Sequence, residues 1–240
     1  MKPSRYFLII PAAGSGKRMG LESPKQFLPV QGKSILHHTL QRFSAVPGLD
    51  SMVLALNLQD TASADFLTAL PEALRQRLRI VEGGAERMHS VQRALDALRG
   101  QAADDDWVLV HDAVRPCVRT ADVLTLMETL ASEHARGQLA FPVRDTLKLA
   151  GDDAQVLGTL DRNNVWQAAT PQMFRYAVLV QALAGAQAAG VQVTDEAAAV
   201  ERLGLPVKLV PGHADNIKLT WPEDMALIEA LLAASSEGRD

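Results

Sequence analysis

The hydrophobic pattern alternates between short apolar runs and longer segments whose apolar residues recur every three or four positions. Segments of the second kind, such as "ILHHTLQRF" and "SVQRALDALRG", place these residues on one helical face. Strands that alternate with helices predict crossover connections, and therefore a mostly parallel α/β sheet with helices on both faces. Five apolar runs are the predicted strands: "YFLII", "SMVLALN", "LRIVE", "WVLV" and "LAFPV".

The α/β rhythm breaks at Asp145. The stretch "TLKLAGDDAQVLGTLD" has two short alternating runs around Gly151, which predicts a β-hairpin. Helical patterns then return, with "PVKLV" and "NIKL" as further short strands. We therefore predict a single domain over 1–240, with 143–165 as an inserted, protruding hairpin arm.

Composition narrows the classes of protein. The chain has 240 residues, and its net charge of −4 argues against a broad nucleic-acid footprint. One cysteine, Cys117, excludes a disulfide framework and favours a reducing cytoplasm. The apolar stretch at Tyr6 to Ile10 is too short for a signal-peptide core, and no segment has the length of a membrane span, so we expect a cytoplasmic protein without membrane contacts.

Three loops that are rich in glycine or charge follow predicted strands: 12–25, 83–90 and 111–115. Ligands of parallel α/β sheets bind at the carboxyl ends of the strands. The three loops therefore predict one composite site.

The first loop, "PAAGSGKRMG", matches neither of two common phosphate loops. The dinucleotide fingerprint fails because its third glycine is replaced by Met19, and the Walker loop fails because Phe27 stands in place of its first glycine. What remains is a glycine turn with exposed backbone N–H groups, followed by Arg18 and Lys25. Cations at a strand end indicate a bound triphosphate.

The stretch "PAAGSGKRMGLESPKQFLPVQGKSIL" resembles the opening of the 2-C-methyl-D-erythritol 4-phosphate cytidylyltransferases. The resemblance covers nearly the whole chain, because "GGAERMHSV", "VLVHDAVRP", "PVRDTLK", "WQAATPQMFR", "VTDEAAAVE" and "NIKLTWPED" follow in the order of that family. It implies a Rossmann-like fold of the nucleotide-diphospho-sugar transferase type. It also implies transfer of a cytidylyl group from CTP to 2-C-methyl-D-erythritol 4-phosphate, which releases pyrophosphate and belongs to non-mevalonate isoprenoid synthesis. Mg²⁺ or another divalent cation is the implied cofactor.

The resemblance also implies the residues of the two binding sites. Arg18 and Lys25 stabilise the transition state, while Arg162 and Lys218 position the attacking phosphate. The arm that carries Arg162 crosses to a second subunit, so the protein is a homodimer in which each arm completes the neighbouring site. The CTP site comprises Ala12, Ala13, Gly14, Gly16, Gly84, Ser90, Asp112 and Ala113. The acceptor site comprises Arg115, Thr146, Thr170, Thr194 and Asp215.

Asp112 and His111 each have two competing interpretations. Asp112 follows a buried strand, where it either contacts a metal ion, directly or through water, or pairs with Arg115. His111 is a tempting general base, but a phosphate monoester is already an oxyanion near neutral pH, since its second pKa is about 6. We therefore expect catalysis by cations and positioning, with a structural hydrogen bond for His111.

Three alternatives remain. A cytidylyltransferase for another polyol phosphate, such as ribitol 5-phosphate, would share the nucleotide site. A nucleotide-binding regulatory module would lack the chemistry, but the cations at Arg18, Lys25, Arg162 and Lys218 argue against it. A dehydrogenase is least favoured because of Met19.

Overall fold

The computed structural model describes residues 4–14, 23–133 and 136–236. A seven-stranded sheet forms its centre, in the order β11 (Lys208–Pro211), β7 (Gly137–Pro142), β10 (Trp166–Arg175), β6 (Trp107–Val110), β1 (Tyr6–Pro11), β4 (Leu49–Leu56) and β5 (Leu78–Glu82). The strand neighbours are parallel except for β10, which is antiparallel to β6 and to β7, so the prediction of a mostly parallel sheet is confirmed.

Helices cover both faces of the sheet, as predicted. Apolar side chains of β1 alternate, so that Leu8 and Ile10 enter one buried cluster while Phe7 and Ile9 enter the other. Helices α1, α2 and α5 contribute to the first cluster, and α4, α6 and α7 to the second. The helices are α1 (Ile35–Ser44), α2 (Thr61–Ala69), α3 (Glu72–Arg75), α4 (Arg87–Leu98), α5 (Thr120–Ser132), α6 (Tyr176–Ala188), α7 (Glu196–Glu201) and α8 (Asp224–Ser236).

The hairpin forms as predicted, from β8 (Lys148–Ala150) and β9 (Val156–Thr159), which pair only with each other. Another small pair, β2 (Pro29–Val30) and β3 (Lys33–Ser34), precedes α1. In the part of the chain that the structure describes, no helix is long and apolar enough to cross a membrane.

One predicted strand does not form, and one strand of the central sheet was not predicted. "NIKL" is not a strand, although the amide of Leu219 donates a hydrogen bond of 2.9 Å to the carbonyl of Val114. Strand β10 was not predicted at all, yet it lies inside the sheet. Proline rarely occupies a central strand because it cannot donate a ladder hydrogen bond. Here Pro171 follows a cis peptide bond, at the point where pairing with β7 shifts register between Ala168 and Gln172.

Candidate active site

The carboxyl ends of β1, β5 and β6 bring three loops around a cavity of about 190 Å³. Small residues of the first loop form one side, and the second loop with the start of α4 forms another. The sequence predicted this convergence from the positions of the loops. The lining residues are Pro11, Ala12, Ala13, Gly14, Lys25, Gln26, Gly84, Ala85, Glu86, Arg87, Ser90, Asp112, Ala113, Val114 and Lys218.

Close backbone packing shapes the side of the cavity that carries Gly84. A Cβ atom on Gly83 would lie 2.2 Å from the Cβ of Ala13, and one on Gly84 would lie 2.3 Å from the Cβ of His89, so neither position has room for a side chain. Ser90 is buried, and its Oγ accepts a hydrogen bond of 3.0 Å from the Gly84 amide. These contacts fix the shape of the loop before any ligand binds.

Gln26 supports the opposite loop. Its buried amide nitrogen donates hydrogen bonds of 2.8 Å to the Ala12 carbonyl and 2.9 Å to the Gly14 carbonyl. Lys25 is half-buried beside it, and its Nζ donates to the carbonyl of Leu219 at 2.8 Å. Gly16 and Arg18, which were predicted for the same loop, lie outside the described residues.

A second cavity, of about 150 Å³, adjoins the first. The two cavities share three charged lining residues, Arg87, Asp112 and Lys218, which we call the charged wall. The second cavity is lined by Arg87, Asp112, Arg115, Ala168, Ala169, Thr170, Gln172, Thr194, Asp195 and Lys218. Two ligands in these cavities would therefore meet across the charged wall.

Asp112 is the centre of the charged wall. Its Oδ1 lies 3.1 Å from Nε of Arg87, and its Oδ2 lies 3.0 Å from Nζ of Lys218 and 3.3 Å from Nε of Arg115. Burial alone would raise the pKa of this carboxyl, but the charges of Arg87, Lys218 and Arg115 hold the pKa far below its usual value. Asp112 therefore stays ionised, and the predicted ion pair with Arg115 forms within a larger cluster.

His111 is completely buried and makes structural hydrogen bonds. Its Nε2 lies 3.1 Å from the carbonyl oxygen of Arg115, and its Nδ1 lies 3.0 Å from Oγ1 of Thr170. Burial lowers the pKa of His111 to about 4. The ring packs on Phe43 at a centroid distance of 4.7 Å. With both nitrogens engaged by protein, His111 does not face either cavity as a general base, which agrees with the sequence-based expectation.

Several residues predicted for the acceptor site reach the second cavity. Arg115 and Thr194 line it, and Thr170 lines it with its hydroxyl already bonded, since Oγ1 accepts a hydrogen bond of 3.1 Å from the Asp112 amide. Asp215 does not line either cavity. Its carboxylate instead accepts a hydrogen bond of 3.0 Å from Nε of Arg119.

The two arm residues lie elsewhere in this single chain. Thr146 and Arg162 are exposed and line neither cavity, and the guanidinium of Arg162 donates to the carbonyl of Arg144. Their position beside the exposed hairpin leaves them free to contact a second molecule.

The site also contains residues that were not predicted from the sequence, among them Gln26 and Arg87, and Arg87 in turn contacts the unpredicted Glu196. Arg87 stands inside the segment "GGAERMHSV" and at the start of α4, so its position after a strand end was an available signal. Glu196 is buried next to Arg87, with Oε1 at 2.6 Å from a terminal guanidinium nitrogen. It stands in the segment "VTDEAAAVE", two residues after Thr194, but nothing in that segment indicates that it meets Arg87.

A divalent cation would have to arrive with a phosphate ligand, because the described residues do not form a metal site by themselves. Asp112 supplies one carboxylate to the charged wall, but three cations already contact it. Within the described ranges, no group of three or more His, Cys, Asp or Glu residues could hold a metal ion. Magnesium is commonly bound by one or two carboxylates together with substrate phosphates, and Asp112 is suited to that role directly or through water.

Comparison with known proteins gives one consistent family. The family model described as 2-C-methyl-D-erythritol 4-phosphate cytidylyltransferase matches residues 6–234. A protein of that name from Ectopseudomonas mendocina is 48% identical, over 93% of this chain and 94% of its own. One from Hahella chejuensis is 43% identical, over 97% of this chain and 95% of its own.

Solved structures agree with these sequence matches. A crystal structure of a 4-diphosphocytidyl-2C-methyl-D-erythritol synthase superposes with a TM-score of 0.82 at 35% identity, covering 97% of this chain and 100% of that one. The 2-C-methyl-D-erythritol 4-phosphate cytidylyltransferase of Thermus thermophilus superposes with a TM-score of 0.77 at 33% identity, covering 95% of this chain and 99% of that one.

Proposed function

This chain belongs to the 2-C-methyl-D-erythritol 4-phosphate cytidylyltransferase family, and we propose that it joins CTP to 2-C-methyl-D-erythritol 4-phosphate. The products are 4-diphosphocytidyl-2-C-methyl-D-erythritol and pyrophosphate, in the non-mevalonate route to isoprenoid precursors. The observation that carries the proposal is the pair of adjoining cavities that share the cationic residues Arg87 and Lys218. The single cysteine favours a reducing cytoplasm as the place of this reaction.

In the proposed reaction, a phosphate oxygen of the acceptor attacks the α-phosphorus of CTP. The bond from that phosphorus to the bridging oxygen of the β-phosphate breaks, and pyrophosphate leaves with the bonding electron pair. No proton has to be removed, because the nucleophile is already an anion. The charge of the attacking and leaving oxygens must be balanced by cations that are fixed beforehand.

We assign the first cavity to CTP. The backbone around Ala12, Ala13 and Gly14 would hold the nucleotide, with Gly84 and Ser90 at the base and Asp112 and Ala113 near the sugar. Lys25 would contact the phosphates, together with Arg18 and Gly16 of the same loop. The lining of the cavity supports this assignment, since residues of the first two loops, among them Ala13, Gly14 and Gly84, face one space.

We assign the second cavity to the acceptor. Lys218 and Arg115 would bind its phosphate, and Lys218 would aim the attacking oxygen across the charged wall. Thr170, Thr194 and Asp215 are the remaining acceptor-site candidates, of which Thr170 and Thr194 line the cavity.

A divalent cation, Mg²⁺ by preference, would neutralise charge on the triphosphate when bound. Asp112 is the residue that would hold it, directly or through water. The role of the protein around it is to keep Asp112 ionised and oriented, and the contacts with Arg87 and Arg115 do so.

We further propose a homodimer in which the arm, 143–165, completes the site of the neighbouring subunit. Thr146 and Arg162 would then reach the acceptor in trans. The exposed apolar side chains of the arm support this, because Leu149, Val156 and Leu157 are 51%, 61% and 68% exposed in the single chain.

The test is a pyrophosphate-release assay across the four nucleoside triphosphates, with 2-C-methyl-D-erythritol 4-phosphate or ribitol 5-phosphate as acceptor. We expect turnover with CTP and the methylerythritol phosphate, and loss of turnover when a chelator removes divalent cations. Faster release with ribitol 5-phosphate would instead assign the alternative acceptor. Absence of release with every pair would leave only nucleotide binding.

A further inference from the structure

Glu196 is a buried carboxylate that the proposed chemistry does not use. It lies in the first turn of α7, is 1% exposed, and has no place in the lining of either cavity. Oε1 accepts a hydrogen bond of 2.6 Å from Arg87, and Oε2 has no hydrogen-bond partner in the part of the chain that the structure describes. A buried charge of this kind is costly and is retained only where it pairs closely with a cation.

The start of α7 is held in place from the unpredicted strand β10. The side chain of Gln172 donates to Asp195 at 2.9 Å and accepts from the Ala197 amide at 2.8 Å. Asp195 in turn caps the helix by accepting from the Ala198 amide at 2.8 Å. Glu196 is therefore presented to Arg87 from a fixed position.

Arg87 bridges two buried carboxylates, of which only Asp112 lines the cavities. Its Nε contacts Asp112 in the charged wall, and its terminal nitrogen contacts Glu196 behind the wall. Although burial alone would lower the pKa of Arg87, both carboxylates raise it, Glu196 more strongly than Asp112. Arg87 is therefore permanently charged and attached to the protein at both ends.

Lys218 also contacts the carboxylate of Asp112, but from the solvent side. Its side chain is 41% exposed, whereas that of Asp112 is 8% exposed. To bind an incoming phosphate, Lys218 must either leave Asp112 or contact Asp112 and the phosphate at the same time. Asp112 would then be a buried anion with one partner fewer, and it would depend on Arg87 and Arg115 to remain beside it.

We propose that Glu196 is a positioning residue. It keeps Arg87 in contact with Asp112, and Lys218 can therefore leave Asp112 and bind the acceptor phosphate. Without the Glu196 charge, Arg87 is drawn to the triphosphate in the first cavity, and Lys218 stays with Asp112. The proposal rests on the proposed function, since it assigns Lys218 to the acceptor.

The first test is Glu196→Gln, with Glu201→Gln as its matched control. Glu201 is an exposed residue at the other end of the same helix. We expect Glu196→Gln to lower kcat/KM for the acceptor by about tenfold, the scale of coupling between contacting charges. Its Kd for CTP, measured by calorimetry without acceptor, should stay within twofold or become tighter, because Arg87 gains freedom to contact phosphate. The control should match the unmodified chain in both measurements.

A purely structural role would give a different result. Equal weakening of CTP binding and turnover, together with a lower melting temperature, would overturn the proposal, as would turnover within twofold of the unmodified chain. The unmodified chain is assayed in parallel: if it releases no pyrophosphate, the proposed function fails. If it is active and Glu196→Gln equals it, only this inference fails.

A second variant covers the case in which Glu196→Gln does not fold. Arg87→Lys keeps the positive charge, but one ammonium group cannot bridge both carboxylates in the way that a guanidinium does. We expect the same split between acceptor turnover and CTP affinity. Adding Glu196→Gln to Arg87→Lys should cause no further loss, because Glu196 acts through Arg87. Full turnover of Arg87→Lys, or additive losses in the double variant, would contradict the proposal.

Discussion

The charged wall and the hairpin arm both carry residues predicted for the acceptor site, and they are built in opposite ways. In the charged wall, Asp112 is buried and is contacted by Arg87, Arg115 and Lys218 of the same chain. In the arm, β8 and β9 pair only with each other, and Leu157 is 68% exposed. One region is organised before ligand arrives, whereas the other exposes apolar surface that a partner could cover. In the proposed dimer, a single chain would form the nucleotide site, and the arm of the second chain would complete the acceptor site.

The largest effect is expected at Lys25, which we propose to contact the phosphates of CTP. Lys25→Met should lower kcat by roughly 10²-fold or more, the cost of losing one fixed charge partner of the transition state. Steady-state kinetics of pyrophosphate release would measure it, with Lys33→Met as a control because Lys33 lies outside both cavities. A change confined to KM would show that Lys25 binds substrate and transition state equally.

A second effect follows from the burial of His111 behind the charged wall. The folded chain keeps this ring neutral, since burial lowers its pKa to about 4 from the usual value near 6.5, against the opposing attraction of Asp112. Between these two values the unfolded chain binds the extra proton, so stability is complete above pH 6.5 and is lost as the pH falls toward 4. The loss amounts to about 3 kcal/mol.

Urea unfolding at several pH values would measure this loss. His111→Asn should be less stable near neutral pH but should lack this part of the acid sensitivity. An equal pH dependence in both proteins would contradict the assignment. The experiment also sharpens the comparison with the arm, since His111 is completely buried next to Asp112, whereas Thr146 and Arg162 are exposed.

The third prediction tests the difference between the two regions directly, because one substitution in each region is placed on a different chain. Lys25→Met and Arg162→Met should each be nearly inactive alone. Co-expressed, they should recover about a quarter of the unmodified activity, because half of randomly formed dimers are mixed and one of their two sites is intact. Pyrophosphate release by the purified mixture is the measurement. If the arm completes its own chain's site, the mixture should stay as inactive as its components.

The sequence predicted the regular parts of the fold from local patterns. Alternating strands and helices were recognisable because the period of apolar residues reports which side chains are buried. Strand β10 was missed because Pro171 and Gln172 look unlike a central strand. In the structure the proline lies where the pairing with β7 is irregular, and Gln172 binds α7 instead of solvent. Local rules could not foresee either compensation.

The sequence by itself determined the α/β class, the hairpin, and the set of loops that could bind phosphates, since these depend on short-range spacing. Only the tertiary structure decided that Arg87, Asp112, Glu196 and Lys218 meet, since they come from four separate segments. The physical reason is that the state of a charge depends on its burial and on its neighbours, which sequence spacing does not contain. Once the chain is folded, the buried carboxylates of Asp112 and Glu196 need the cations beside them, and this requirement links the four residues.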